Sequence, residues 1–89
     1  AYSVMIEHNT DLLDTMIEGI ENKKYSGLGL GIAVFMVGMQ YLLLQDKDNA
    51  RTYFYNSLSC FNKKSFYYAK AKAYVDRLTE ELGAEDLDY

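Results

Sequence analysis

The side chains able to do chemistry in this sequence are few, and their spacing isolates them. His8 is the single histidine and Cys60 the single cysteine. A histidine acts as a base or a ligand only in company, with a second ligand at metal spacing or a serine or cysteine within reach. His8 has neither nearby in sequence and reads as a solvated side chain near a helix start. Cys60 stands beside Phe61 in an apolar stretch, with nothing paired to it in sequence to activate it. It reads as a small packing residue, and a lone cysteine allows neither an internal disulfide nor a cysteine zinc cluster in one chain.

Two other groupings have the residue types for chemistry. Asp11, Asp14, Glu18 and Glu21 could ligate a cation or move protons, but their spacing is that of the solvent face of a helix, and solvation explains them. Gly27-x-Gly29-x-Gly31 ahead of a helix has the outline of a phosphate cradle. It lacks a preceding strand, the full dinucleotide fingerprint and the Lys-Ser/Thr of a P-loop, so it reads as a packing or flexible turn. No catalytic, cofactor-binding or metal-binding residue is assigned, and the chain is expected to be non-enzymatic.

The elements that hold these residues follow from composition and periodicity. Eighty-nine residues make one domain at most, with a core of modest size. With 49% hydrophobic and 25% charged residues the chain has enough apolar surface to fold. Thirteen acidic against nine basic side chains give a net charge of −4, which disfavours general nucleic-acid affinity. Proline is absent, which favours long uninterrupted helices over a turn-rich β fold. The N-terminal residues carry acids and no basic leader ahead of an apolar stretch, so no cleavable secretory signal is expected. The lone cysteine suits a reducing compartment, and the expected location is cytoplasmic.

Four helices are predicted. The first runs from Thr10 to Lys24, with Asn9 or Thr10 as its N-cap, and carries Leu12, Leu13, Met16, Ile17 and Ile20 on one stripe. A loop or frayed turn over the glycine run precedes the second, from about Leu28 to Gln45, which is apolar nearly all round and should be central and covered on most sides. Asp46, Lys47 and Asp48 break the chain, with Asp48 a suitable N-cap. The third covers Asn49 to Phe61, turning Ala50, Tyr53, Phe54, Ser57, Leu58 and Phe61 inward and Arg51, Thr52, Asn56 and Ser59 outward. The fourth runs from Phe66 to Leu82, capped by Ser65, carries Tyr67, Ala71, Tyr74, Val75, Leu78 and Leu82 at helical spacing, and stops at Gly83. Residues 1–83 are read as one helical domain and residues 84–89 as an acidic, mobile tail.

Two antiparallel helices joined by a short turn need small residues where their axes approach and large ones between. Gly38 and Ala50 are the expected small contacts, Tyr41 and Phe54 the wedges. Val34-x-x-Val37-Gly38-x-x-Tyr41 followed by Ala50-x-x-x-Phe54-x-x-Ser57, with twelve residues from Gly38 to Ala50, resembles one tetratricopeptide repeat over residues 31–64. The departures are Val34 where the family usually has an aromatic, Ser57 where it often has alanine, and Asn62 near its proline. One period later, Lys72 and Val75 stand at the glycine and tyrosine places. The resemblance implies an all-α, four-helix antiparallel array around a tetratricopeptide-like helix-turn-helix, and a groove for an extended or helical peptide. Because about three repeats are normally needed for a closed core, it also implies self-association as a homodimer or docking on a larger partner.

The remaining signal is aromatic. Tyr53, Tyr55, Phe61, Phe66, Tyr67, Tyr68 and Tyr74 crowd the second half together with Arg51, Lys63, Lys64, Lys70 and Lys72. Neighbours such as Tyr67 and Tyr68 do not both face inward, and those left outside, Tyr55 and Tyr68 above all, would form a contact surface of the kind enriched at interfaces. Tyr55, Tyr67, Tyr68, Arg51, Lys63 and Lys64 are the expected partner-binding residues, and the partner a protein or peptide. Aromatics among lysines also suit single-stranded nucleic acid, which the acidic balance disfavours. Two other classes are carried: a compact helical immunity or inhibitor protein, which predicts a closed four-helix bundle without a groove, and a single-pass membrane subunit spanning residues 26–44. Gln40, the glycines and the other amphipathic helices weigh against the membrane reading.

Overall fold

The computed structural model describes the backbone of residues 2–83 and the side-chain surroundings of residues 11–83. Four helices follow one another: α1 (Tyr2–Glu21), α2 (Gly27–Leu43), α3 (Lys47–Leu58) and α4 (Phe66–Leu82). No strand occurs among the described residues, and the architecture is the predicted all-α four-helix array. The tail expected at residues 84–89 lies outside the described residues.

The helix ends show which local signals held. Ser65 Oγ accepts the Tyr68 N–H at 3.1 Å and starts α4 as predicted, and Gly83, at φ 93°, stops it. The N-cap of α3 is Asp46 rather than Asp48. Its carboxylate accepts the Asn49 N–H at 3.3 Å and the Asn49 side-chain amide at 2.8 Å, which leaves Asp48 in the first turn, where the helix dipole favours it. Helix α1 starts at Tyr2, well before Thr10, so Asn9 and Thr10 are interior rather than caps. Cap-type residues cost a helix interior only a little, and the turns before them continue the helix. The glycine run is helical as well, since α2 begins at Gly27 after an extended Ser26.

Helices α1 and α2 both end on a left-handed residue that is not glycine, Lys23 at φ 57° and Gln45 at φ 65°. In α1 the Lys24 N–H donates to the Gly19 carbonyl and the Lys23 N–H to that of Ile20. In α2 the Asp46 N–H donates to the Tyr41 carbonyl and the Gln45 N–H to that of Leu42. Both are the paired bonds of a Schellman stop, which satisfy carbonyls otherwise left open at a helix end.

Each helix packs chiefly on its neighbours in sequence. The α2–α3 interface is the most extensive, α3–α4 the next, and α1 lies on α2. The core is Ala50, Phe54, Val75 and Leu78, enclosed by Phe35, Met39, Tyr41, Leu42, Leu58 and Tyr74. The hairpin register is set by two glycine–ring contacts. A Cβ on Gly38 would lie 3.0 Å from the Phe54 ring, and one on Gly31 would lie 2.6 Å from the Phe61 ring and 2.8 Å from the Cys60 Cβ. Seven residues forward along α2 therefore match seven residues back from Phe61 to Phe54, with Phe61 in the turn beyond α3, which ends at Leu58 and not at Phe61 as predicted. The small contact at Gly38 makes room for the wedge Phe54 itself, while Ala50 is fully buried in the same core. Among the described residues, no helix is long and apolar enough to cross a membrane; α2 has 17 residues.

A candidate partner-binding groove between the third and fourth helices

The predicted outward residues of α3 divide. Thr52, Asn56 and Ser59 are exposed as expected, but Arg51 is a correction: it is only 6% exposed and cannot serve as a surface contact. Its charge suggested an outward position, yet three methylenes let an arginine lie along apolar surface and carry its head elsewhere. Here the guanidinium reaches Asp48 Oδ1 at 3.9 Å.

One turn further along α3, Tyr55 is 44% exposed. It forms a groove with Leu58, Lys63, Tyr68 and Lys72, and Asn56 and Ser59 add polar groups. Antiparallel packing produces the grouping. Lys47 at the start of α3 pairs with Glu81 at the end of α4 at 3.0 Å, so the C-terminal half of α3 necessarily lies beside the N-terminal half of α4. The turn is held by Asn62, whose Oδ1 accepts the Lys64 N–H at 2.9 Å and whose carbonyl accepts the Ser65 N–H at 2.9 Å. Lys63 therefore stands at the mouth of the groove. Tyr68 and Lys72, four apart, share one face of α4.

Three of the six expected contact residues, Tyr55, Tyr68 and Lys63, thus meet in one place. Tyr67 does not join them. It stacks on Phe61 with ring centroids 5.4 Å apart and meets Phe66 edge-on at 5.9 Å, so it covers the ring that rests on Gly31. Lys64 is exposed in the turn but does not line the groove. Lys72 is the residue that spacing placed only in the general basic surroundings. Its ammonium binds Asp76 at 2.8 and 3.0 Å, and that hydrogen bond, with the Asp76 charge, pushes its pKa above the ordinary lysine value.

The signal that points to this end of the molecule is an acid-free run. All Asp and Glu lie in residues 1–48 or 76–89, while residues 49–75 carry Arg51, Lys63, Lys64, Lys70 and Lys72. Two phenols, two ammonium groups and an apolar floor at Leu58 suit recognition of a bound segment by packing and hydrogen bonds. Among the described residues no three His, Cys, Asp or Glu side chains converge as a metal site. Comparison of the chain with protein-family models, with curated proteins and with solved structures finds no match.

Proposed function

We propose that the chain is a non-enzymatic, cytoplasmic protein–protein interaction module, an adaptor, regulator or chaperone, that holds a segment of a partner between α3 and α4. The observation that carries this is the convergence of Tyr55, Tyr68, Lys63 and Lys72 on one groove of about 390 Å³. An exposed Tyr55 and a half-buried Tyr68, which was expected outside, flank an apolar floor, and tyrosines so placed are the residue type and setting of interface hot spots. The tetratricopeptide-like reading of α2 and α3 belongs to the same proposal. It is supported by the antiparallel pair, by the glycine that admits the aromatic of the second helix, and by α4 packing on α3 as a next helix would. The open order of helix contacts weighs against the closed bundle of an inhibitor protein.

A photo-crosslinking phenylalanine analogue in place of Tyr55 or Tyr68 tests this in extracts of the source cells. The same partner is expected from both positions and not from Glu80, and Tyr55→Ala in the Tyr68-labelled chain should weaken capture about tenfold. Equal capture from Glu80, or none from either tyrosine, would reject the groove as the binding face.

Self-association is a second reading with its own observation. Leu28, Met36 and Leu43 are all exposed on one side of α2. A stripe of this kind is covered when a second copy docks on it. Light scattering should then give a dimer mass that falls to the monomer in Met36→Lys.

A further inference from the structure

We infer that the α3–α4 groove takes a short acidic peptide segment, with carboxylates on either side of one large apolar or aromatic side chain. This rests on the interaction-module reading and specifies its partner. The argument begins with α4, which carries Lys70 and Lys72 in its first half and Asp76, Glu80 and Glu81 in its second, with Arg77 among them pairing to Glu81. Its first turn has no acid and its last turn no base. A helix dipole favours the opposite distribution, so the stability of α4 does not account for where its charges lie. The consequence is a basic end on an acidic chain, and the groove opens at that end.

The groove supplies a complement for each part of such a ligand. Leu58 between Tyr55 and Tyr68 receives the apolar side chain. Lys63 at the mouth and Lys72 on α4 face the flanking carboxylates. Lys72 is held by Asp76, but the two side chains are 50% and 63% exposed. An exposed pair four residues apart contributes little and exchanges readily, and lysine before aspartate is the weaker order along a helix. An incoming carboxylate therefore displaces Asp76 at small cost.

The charge pattern favours a peptide over single-stranded nucleic acid. A phosphate chain carries a charge at every step. Followed along α4 beyond Lys72, it would meet Asp76 one turn away, about 6 Å and within a Debye length of about 8–10 Å, and Glu80 one turn after that. A segment with two or three acids ends where the cations end.

A random displayed library of about twelve residues, panned on the intact chain, tests the inference against the hot-spot expectation. Enriched peptides should carry Asp or Glu flanking a large apolar residue. A synthetic copy should bind roughly tenfold more weakly to Lys63→Glu and to Lys72→Glu, each shown folded by its thermal melt, and more weakly as salt rises. Enrichment without acidic bias, lost in Tyr55→Ala, overturns the acidic-segment inference and leaves the interaction module standing. No enrichment on the folded chain overturns both. Binding of an oligothymidylate, lost in Lys63→Glu, with no acidic peptide enriched, overturns the inference in favour of nucleic acid.

Discussion

The ring of Phe54 lies flat against that of Tyr74, with centroids 4.7 Å apart and planes 9° from parallel. Phe35 meets both rings edge-on, at 5.1 and 6.0 Å. One residue each from α2, α3 and α4 thus share a contact, and Phe54, fully buried, is its centre. Phe54→Ala should cost about 3–5 kcal/mol, a large part of the stability of so small a domain. Tyr74→Leu keeps most of the apolar bulk and should lose about 0.5–1.5 kcal/mol with the ring pair. Urea unfolding followed by circular dichroism measures both, and similar losses would mean that the stack is not what joins the helices.

The glycines of α2 should respond in opposite directions to the same substitution. Gly38→Ala places a methyl 3.0 Å from the Phe54 ring, and overpacking of that kind costs about 1–3 kcal/mol. Gly31→Ala meets Phe61 and Cys60 at still shorter distances and should be worse. Gly29 has nothing within 4 Å of a Cβ and an ordinary helical φ, so Gly29→Ala should raise stability by up to about 0.5–1 kcal/mol through helix propensity. Equal effects at positions 29 and 38 would contradict the ring-in-notch packing.

These contrasts indicate what was legible in the sequence. The bounds of α4 were, because Ser65 and Gly83 are signals whose mechanism is local. The core of α3 was also legible, because Ala50, Phe54 and Ser57 recur at helical spacing and all three are buried. The ends of α1 and α2 were less so: Lys23 and Gln45 take the left-handed place where glycine would have announced a stop. Arg51 is buried although its residue type points outward, because an arginine's long stem lets type and position disagree. Tyr55, Tyr68 and Lys63 were identified singly, but their meeting with Lys72 depends on how α3 and α4 are paired, which no local pattern encodes. The same pairing separates Tyr67 and Lys64 from them.

Gln45 offers a substitution that improves on the native residue. At φ 65° a side chain is strained against its own backbone, and Gln45 is exposed. Gln45→Gly removes that strain while keeping the two closing hydrogen bonds, whose donors and acceptors are all backbone. The net of relieved strain and greater unfolded-chain entropy should be a gain of about 0.5–1 kcal/mol. Thermal melts of the two chains decide it, and a lower midpoint for Gln45→Gly would show that its side chain matters more than its backbone.

The acid limb of stability should depend on Glu81. The hydrogen bond from Lys47 holds its pKa below the ordinary glutamate value of 4.5, against the opposing effect of desolvation, and the charges of Lys47 and Arg77 and a hydrogen bond from Arg77 add to the lowering. A carboxylate depressed in the folded state stabilises above its unfolded pKa, and that contribution disappears as pH falls through the lower folded value. The side chains are exposed, so the effect is small and salt-sensitive. Glu81→Gln should be less stable than the parent at pH 7 in low salt and equal to it in strong acid. A difference that persisted in acid would have to come from packing.

The alkaline limb should depend on Tyr41. Burial is the main cause that pushes its pKa above 10.0, and the nearby Tyr53, Asp46 and Asp14 charges push the same way. Its ring lies 5.4 Å from that of Tyr53, between the end of α2 and the middle of α3. A phenol whose folded pKa is raised contributes stability that is complete below the unfolded value near 10 and is lost as pH rises through the higher folded value. Tyrosinate absorbance should therefore show a late step while the chain remains folded, and Tyr41→Phe, which keeps the ring, should abolish it. The same variant should unfold less readily in alkali, because it has no phenol there to ionise. Retention of the late step in Tyr41→Phe would assign it to another tyrosine and disprove burial of Tyr41 as the cause.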